Sequence, residues 1–145
     1  MRTFVLNSQV LLAVIPPIAI GILFEVFLRP RHDYTGHFLA GYGATMATCM
    51  LCARPMARAR RTFPRDVTVL FVTVGCIGAG AVAEATFFRI AKFDEIDFCS
   101  QSLGAVLAGI AATGFNANEI KASNYDVGLI AGIVFLGIGG CFAVA

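Results

Sequence analysis

The chain contains five long runs of apolar residues, and most of its charged residues lie between these runs. Of its 145 residues, 58% are hydrophobic and 14% are charged, which is too few polar side chains to cover the surface of a water-soluble fold. Each run approaches or exceeds the roughly 20 residues that an α-helix needs to cross about 30 Å of hydrocarbon. The runs are residues 4–28, 37–53, 66–90, 96–115 and 127–145.

These runs predict an all-α fold, a polytopic transmembrane helical bundle of about five spans in a single domain, residues 1–145. In lipid every backbone N–H group needs an internal partner, and the runs lack the alternating pattern of a membrane β-strand. The fourth run allows an alternative to a full span, because its uncharged part, residues 98–115, is short and rich in glycine, alanine and serine. It could instead form a half-inserted helix, and the C-terminus would then lie on the other side of the membrane.

The first run carries a pair of prolines, Pro16 and Pro17. Its apolar core continues well past the length of a cleavable signal and ends at Leu28, so we interpret it as a membrane helix. A proline lacks an N–H group and leaves the carbonyl four residues earlier without its helical partner. We therefore expect a kink or a locally unwound turn, where a neighbouring side chain or a water contacts the freed carbonyls.

The distribution of lysine and arginine predicts the orientation of the chain in the membrane. With the N-terminus inside, seven basic residues face the cytoplasm and four face outside. This predicts an integral membrane protein with its N-terminus on the cytoplasmic side. Five of the inner residues crowd one loop, and we interpret them as topology anchors rather than as a patch for anionic lipid, with no nucleic-acid partner. They are Arg54, Arg58, Arg60, Arg61 and Arg65.

Glycines mark the helix faces where backbones can approach closely. Gly128 and Gly132 form a GxxxG pattern in the last run, Gly104 lies in the fourth, and a cluster at positions 75, 78 and 80 lies in the third. We expect Gly104, Gly128 and Gly132 to be helix-packing positions. Such faces serve equally well inside the bundle, in a homo-oligomer or against another membrane protein, and the sequence leaves these alternatives open.

Two sets of polar residues occur at helical spacing near the predicted outer face. Asp33 and His37 are four residues apart, and Asp97, Gln101 and Gly104 follow at i, i+4 and i+7. Each aspartate could simply be an N-cap that accepts hydrogen bonds from backbone N–H groups, and an interfacial histidine could reach the headgroups by itself. The alternative is that both sets contribute to one polar site.

Glu84 favours the second alternative. It lies within the third apolar run, where an ionised side chain costs on the order of 3 kcal/mol unless it is paired, solvated or protonated. We expect Glu84 to face the interior of the bundle and to be a functional residue. The candidate ligand-binding or functional site comprises Asp33, His37, Glu84, Asp94, Asp97 and Gln101.

The same residues resemble the motifs of the VanZ-like membrane family. The run from Asp33 to Phe38 is similar to the DKxxHF opening of that family, and Glu84 followed by Asp97-x-x-x-Gln101 is similar to its second motif, an acid followed by DxxxNxxG. The chain departs from the pattern at Tyr34, where the family has lysine, and at Gln101, where it has asparagine. The resemblance implies a small polytopic bacterial protein of the cell envelope, related to one associated with low-level teicoplanin resistance.

A histidine, several carboxylates and an amide near the headgroups could bind a divalent metal, relay a proton or hydrogen-bond a headgroup. We assign no metal, because no dense motif of the HExxH kind ties the ligands together, and the sequence leaves any cofactor unknown. No catalytic residue is assigned either, because Ser100 and Ser102 lack a GxSxG context. The pattern thus favours a protein that is not an enzyme.

Two functions compete at this stage. In the first, the outward polar site of a VanZ-like protein binds a lipid-linked or amphiphilic envelope molecule. In the second, the chain is a non-catalytic accessory or structural subunit of a larger membrane protein complex, and its acids and glycine faces serve docking.

Overall fold

A computed structural model describes residues 8–28, 31–58, 62–86, 94–114 and 122–143. These residues form five α-helices and no strand, which confirms the predicted all-α helical bundle. The helices are α1 (Ser8–Phe27), α2 (His32–Arg58), α3 (Thr62–Thr86), α4 (Glu95–Thr113) and α5 (Ala122–Ala143).

Three of the helices are long and apolar enough to cross a membrane. The three stretches are Arg65–Thr86, Glu95–Thr113 and Tyr125–Ala143, so α4 is a continuous helix of sufficient length. The described apolar part of α1, Ala13–Phe27, is shorter. Helix α2 is not among the three, although its sequence was predicted to span. Its charged residues lie at its two ends, but Thr45, Thr48 and the glycines at positions 36, 41 and 43 make its middle less apolar.

Helix α2 is the centre of the bundle. Among the described residues it packs against all four other helices, most extensively against α5 and α4, which do not contact each other. Its buried side chains form much of the core, including Phe38, Tyr42, Met46 and Met50. Because its neighbours enclose it, α2 tolerates more polar residues than a helix that faces lipid. The outer helices instead expose large apolar side chains, such as Phe71, which suit a bilayer.

Glycines on α2 let α5 approach its backbone. A Cβ atom on Gly36 would lie 2.4 Å from the backbone nitrogen of Ala143, and one on Gly43 would lie 2.2 Å from that of Leu136. Real Cβ contacts are essentially never that short, so both positions require glycine at this helix separation. The pairing is antiparallel, because a step of seven residues along α2 corresponds to the same step back along α5.

Glycines on α5 contribute to the same interface from the other side. A Cβ atom on Gly132 would lie 2.6 Å from the backbone nitrogen of Ala47, and one on Gly139 would lie 2.3 Å from that of Ala40. Gly128 is also buried. Gly132, which was predicted as a packing position, therefore packs inside the chain itself, together with Gly139, which the GxxxG pattern did not include.

The contact between α2 and α4 is equally close. A Cβ atom on Gly104 would lie 2.1 Å from the carbonyl oxygen of Phe38, so this predicted packing glycine lies against the backbone of α2. In contrast, a Cβ atom on Gly75 or Gly78 would meet no atom within 4 Å. These two glycines of the third run lie on an exposed face of α3 and do not pack within the chain, so the alternatives of a homo-oligomer or another membrane protein stay open for them.

The proline pair does not break α1, which is helical from Ser8 to Phe27. Because Pro17 has no N–H group, it cannot donate to the carbonyl of Ala13. The hydroxyl of Tyr42, fully buried on α2, donates a hydrogen bond to that carbonyl. A neighbouring side chain thus contacts a freed carbonyl, as predicted, and this hydrogen bond links α1 to α2.

At the end of the bundle where α2 ends and α3 begins, two of the five loop arginines are paired within the chain. Arg54 lies 3.0 Å from Asp126, and the buried Arg65 lies 2.7 Å from Asp66 and also donates to the carbonyl of Thr113 at the end of α4. We call this the arginine end. These two residues therefore connect helices, and the side chains of the other three lie outside the described residues.

The hydrogen bond between Tyr42 and Ala13 can be tested with a double-mutant cycle. Tyr42→Phe leaves a buried carbonyl without a donor, and we expect it to lower the free energy of unfolding in detergent by about 1–3 kcal/mol. Adding Pro17→Ala restores an N–H group for the same carbonyl, so the double variant should lose less than Tyr42→Phe alone. Strictly additive losses would show that Tyr42 does not replace the missing helical hydrogen bond.

Two adjacent glycines on α5 provide a matched test of the central interface. Gly139 faces the backbone of α2, whereas a Cβ atom on Gly140 would meet no atom within 4 Å. We expect Gly139→Ala to destabilise the protein by about 1–3 kcal/mol through overpacking. Gly140→Ala should be neutral or stabilising, because alanine favours a helix by roughly 1 kcal/mol over glycine. Thermal unfolding in one detergent compares them, and equal effects would contradict this packing.

Candidate functional site

Three helices bring ionisable side chains together at the end of the bundle opposite the arginine end. His37 lies in the second turn of α2, Glu84 in the last turn of α3, and Asp97 in the first turn of α4. One ligand atom from each of these residues lies within 4.8 Å of the other two, and all three residues are buried. We call them the inner trio, and we call this end of the bundle the acidic end.

The geometry of the inner trio leaves one carboxylate oxygen without a partner. The Nε2 atom of His37 lies 3.6 Å from Oδ2 of Asp97. The Oε1 atom of Glu84 accepts a hydrogen bond of 3.5 Å from the backbone N–H group of Asp94. Asp97 exposes only 9% of its surface, and its buried Oδ1 has no hydrogen-bond partner among the described residues. A buried, unpaired carboxylate oxygen is costly unless something else binds it.

Asp94, not Asp97, caps the start of α4. Its backbone is extended, with φ −92° and ψ 108°, and its Oδ1 accepts hydrogen bonds from the backbone N–H groups of Ile96 at 2.9 Å and Asp97 at 3.4 Å. The alternative that Asp97 is a simple N-cap is therefore wrong. Because Asp94 satisfies these N–H groups, the carboxylate of Asp97 is directed toward His37 instead.

A second layer of charges lies outside the inner trio. The guanidinium of Arg31 lies 2.9 Å from Asp33 and 3.3 Å from Asp94, and 4.3 Å above the ring of Tyr34. We call Arg31, Asp33 and Asp94 the outer layer. Arg31 links the start of α2 to the N-cap of α4, and its side chain is half exposed.

The outer layer lowers two carboxyl pKa values. The hydrogen bond from Arg31 holds the pKa of Asp33 below its ordinary value, against the opposing effect of partial burial. The backbone N–H group of Ile96 is the main cause of the lowered pKa of Asp94, with smaller contributions from Asp97 and Arg31. Both carboxylates are therefore ionised at neutral pH, and they make the acidic end attractive to cations.

Gln101 lies one turn beyond Asp97 on α4 and contacts two other helices. A Cβ atom on Gly80 would overlap its side-chain amide, and one on Gly41 would lie 2.2 Å from its carbonyl oxygen. The glycines on α3 and α2 therefore make room for Gln101 between these helices. Asp97, Gln101 and Gly104 share one face of α4 as predicted, and that face lies against α2.

The structure therefore brings together every polar residue of the predicted site. His37, Glu84 and Asp97 form the inner trio, Asp33 and Asp94 belong to the outer layer, and Gln101 lies at the next turn of α4. Their roles in binding stay predictions.

Sequence reasoning missed two parts of the acidic end. It did not assign a site role to Arg31. Arg31 lies two residues before Asp33 at the start of α2, and this spacing is a signal of a local ion pair. It also overlooked Glu25, which pairs with His32 at the end of α1. An acid inside an apolar run was the argument applied to Glu84, and the same argument would have found Glu25.

Comparison of the chain with protein-family models, with curated proteins and with solved structures gave no match. The resemblance to the VanZ-like family therefore rests on the motif residues alone and stays a prediction.

The N-cap role of Asp94 predicts both a stability loss and a pH dependence. Asp94→Ala should lower the free energy of unfolding by about 1 kcal/mol at neutral pH, whereas Asp94→Asn, which retains a capping oxygen, should lose less. Because the pKa of Asp94 is lowered by folding, its carboxylate stabilises the fold above the ordinary pKa of about 4. This contribution disappears as the pH falls through the lowered value.

Thermal unfolding of both variants and the unmodified protein between pH 3 and pH 7 would check this expectation. Asp94→Asn should weaken the loss of stability below about pH 4. An unchanged acid dependence in Asp94→Asn would contradict a stabilising ionised cap.

Proposed function

We propose that the protein is a small VanZ-like binding protein of the cell envelope. Its polar site holds the headgroup of a lipid-linked or amphiphilic molecule at the outer face of the bacterial cytoplasmic membrane. It performs this role by binding, without a catalytic residue of its own.

The observation that carries the proposal is the convergence of the inner trio. Placing His37, Glu84 and Asp97 from three separate helices into one buried cluster costs desolvation energy. Simple helix capping does not require this cost, because Asp94 already caps α4. A binding role for the cluster accounts for the cost, since a polar headgroup supplies a partner for Oδ1 of Asp97, which has none among the described residues.

The surroundings of the inner trio suit an amphiphile. The outer layer lies between the trio and the aqueous surface, so a headgroup that carries an amine or hydroxyl groups can donate to its carboxylates. Helix α4 exposes Ile96, Leu103, Val106 and Ile110, an apolar stripe that begins next to Asp97 and can contact acyl chains. Any membrane helix exposes such a stripe, so it supports the proposal without carrying it.

The motif residues and the charge distribution add further support. The VanZ-like pattern has lysine at the position of Tyr34, and in this chain the cation over the Tyr34 ring is Arg31. The excess of basic residues on the N-terminal side of the predicted topology orients the acidic end outward.

The second candidate is an accessory or structural subunit of a larger membrane complex, and one observation favours it. Gly75 and Gly78 leave an open strip on α3, flanked by the exposed side chains of Phe71 and Val82. A partner helix or a second copy of the chain could approach closely there. Gly132 does not favour either function, because it is buried against α2 within the chain.

The test is purification in a mild detergent from the native membrane, followed by mass spectrometry of the lipids and proteins that accompany the chain. We expect a defined envelope amphiphile with the unmodified protein, and at least a tenfold smaller amount with Glu84→Gln or His37→Ala. A tenfold change corresponds to about 1.4 kcal/mol, which is within the range for a lost hydrogen bond to a charged group.

Glu95→Gln is the matched control, because Glu95 is an exposed acid in the same turn of α4 as Asp97. It should retain the amphiphile. Equal lipid content in all variants would contradict a site at the inner trio. Stoichiometric recovery of a large complex that Gly78→Leu disrupts and Glu84→Gln does not would replace this proposal with the subunit function.

A further inference from the structure

We propose that His37, Glu84 and Asp97 form a binding site for a divalent metal ion, for which Zn²⁺ or Mn²⁺ has the fitting chemistry. The proposal concerns the metal alone and does not depend on the amphiphile.

The first observation is the set of donors. An imidazole nitrogen and two carboxylate oxygens converge within 4.8 Å of one another. Zinc ligands lie about 2.0–2.2 Å from the ion, so donors on one ion are roughly 3–3.5 Å apart, and the trio must contract by roughly 1 Å to bind it. The side chain of Glu84 has three rotatable bonds and can supply most of this movement. Zinc accepts both imidazole and carboxylate ligands, and carboxylates also suit manganese.

The second observation is independent of the clustering. The Oδ1 atom of Asp97 is buried and has no hydrogen-bond partner among the described residues, while Oδ2 of the same carboxylate lies 3.6 Å from His37. A metal ion is a partner for such an oxygen that needs no donor side chain.

Charge balance points the same way. As metal ligands the two carboxylates would be ionised and the histidine neutral, and a divalent ion would balance their two negative charges in a buried site where uncompensated charge is expensive. The outer layer adds two carboxylates against one guanidinium, so the field at the acidic end, among the described residues, also favours a cation.

The surrounding groups resemble the support that metal ligands usually have. Oε1 of Glu84 accepts a hydrogen bond of 3.5 Å from the backbone of Asp94, a contact that helps to orient the carboxylate. Three protein ligands leave at least one coordination position open, as in metal sites that bind a further molecule. Sequence spacing alone does not mark these residues as a metal site, because each ligand comes from a different helix.

The test is metal binding by the purified, chelator-treated protein in detergent, measured by isothermal titration with ZnCl₂ and separately with MnCl₂. We expect one ion per chain with the unmodified protein. Removing a metal ligand should weaken binding at least as much as loss of a supporting residue, so Asp97→Asn and His37→Gln should bind at least about tenfold more weakly. Glu95→Gln, an exposed acid two residues from Asp97, should bind as the unmodified protein does.

Two further readouts separate this site from other causes. All variants retain the five free cysteines, so zinc bound by thiols would not change with Asp97→Asn, and manganese binds thiols poorly. Zinc should raise the thermal unfolding temperature of the unmodified protein and of Glu95→Gln but not of Asp97→Asn. A folded Asp97→Asn variant is confirmed by its unchanged unfolding temperature, or a higher one, without metal.

The proposal is overturned if the unmodified protein binds neither ion, or if Asp97→Asn and His37→Gln bind both ions as tightly as the unmodified protein. Its failure is distinguishable from failure of the proposed function, because amphiphile recovery after chelator treatment is measured separately.

Discussion

The close approach of α2 to α4 and α5 is the contact on which the rest of the structure depends. Gly36 and Gly43 bring α2 against the backbone of α5, and Gly104 brings α4 against the carbonyl of Phe38. Association of helices in lipid gains little from the hydrophobic effect, so close packing of backbones is a main source of stability. These contacts fix the rotation of α2 and α4 about their axes. The same rotation directs His37 and Asp97 toward each other, so the geometry of the site depends on the packing of these helices.

The enclosure of α2 also explains why a polar site can exist in this bundle. A helix that faces lipid must be apolar on its outside, and α3 and α5 follow this rule. Helix α2 is surrounded by the other four, so it can carry His37 and Thr45 with little contact with lipid. The buried hydroxyls of Thr35 and Thr45 have no hydrogen-bond partner among the described residues, whereas other polar groups on α2 find one in a neighbouring helix. The hydroxyl of Tyr42, for example, occupies the carbonyl that Pro17 leaves free.

Much of the fold could be predicted from the sequence because the apolar runs are long, and each helix boundary lies within about five residues of its predicted run. The sequence predicted that Glu84 faces the interior of the bundle, but it could not predict that Glu84 lies beside His37. That proximity depends on the relative rotation of three helices, which contacts such as Gly80 against Gln101 determine. The identity of the N-cap could not be decided from spacing, because Asp94 and Asp97 both precede the apolar part of α4 and only the backbone conformation at Asp94 distinguishes them. The open faces at Gly75 and Gly78 show the same limit, since a glycine pattern does not reveal which side of a helix has a neighbour.

The two ends of the bundle differ in how their charges are satisfied, and this difference indicates where function resides. At the arginine end, Arg54 and Arg65 each have an acidic partner, and Arg65 also donates to a carbonyl at the end of α4. The two arginines therefore connect helices. At the acidic end, the described carboxylates outnumber the one described arginine, and a buried oxygen of Asp97 has no partner among the described residues. A structural ion network tends toward balance, because each uncompensated buried charge lowers stability. An excess of carboxylates around a buried site is better explained by a ligand that binds them. The charge pattern thus supports the proposal of a binding role for the acidic end, whichever face of the membrane that end occupies.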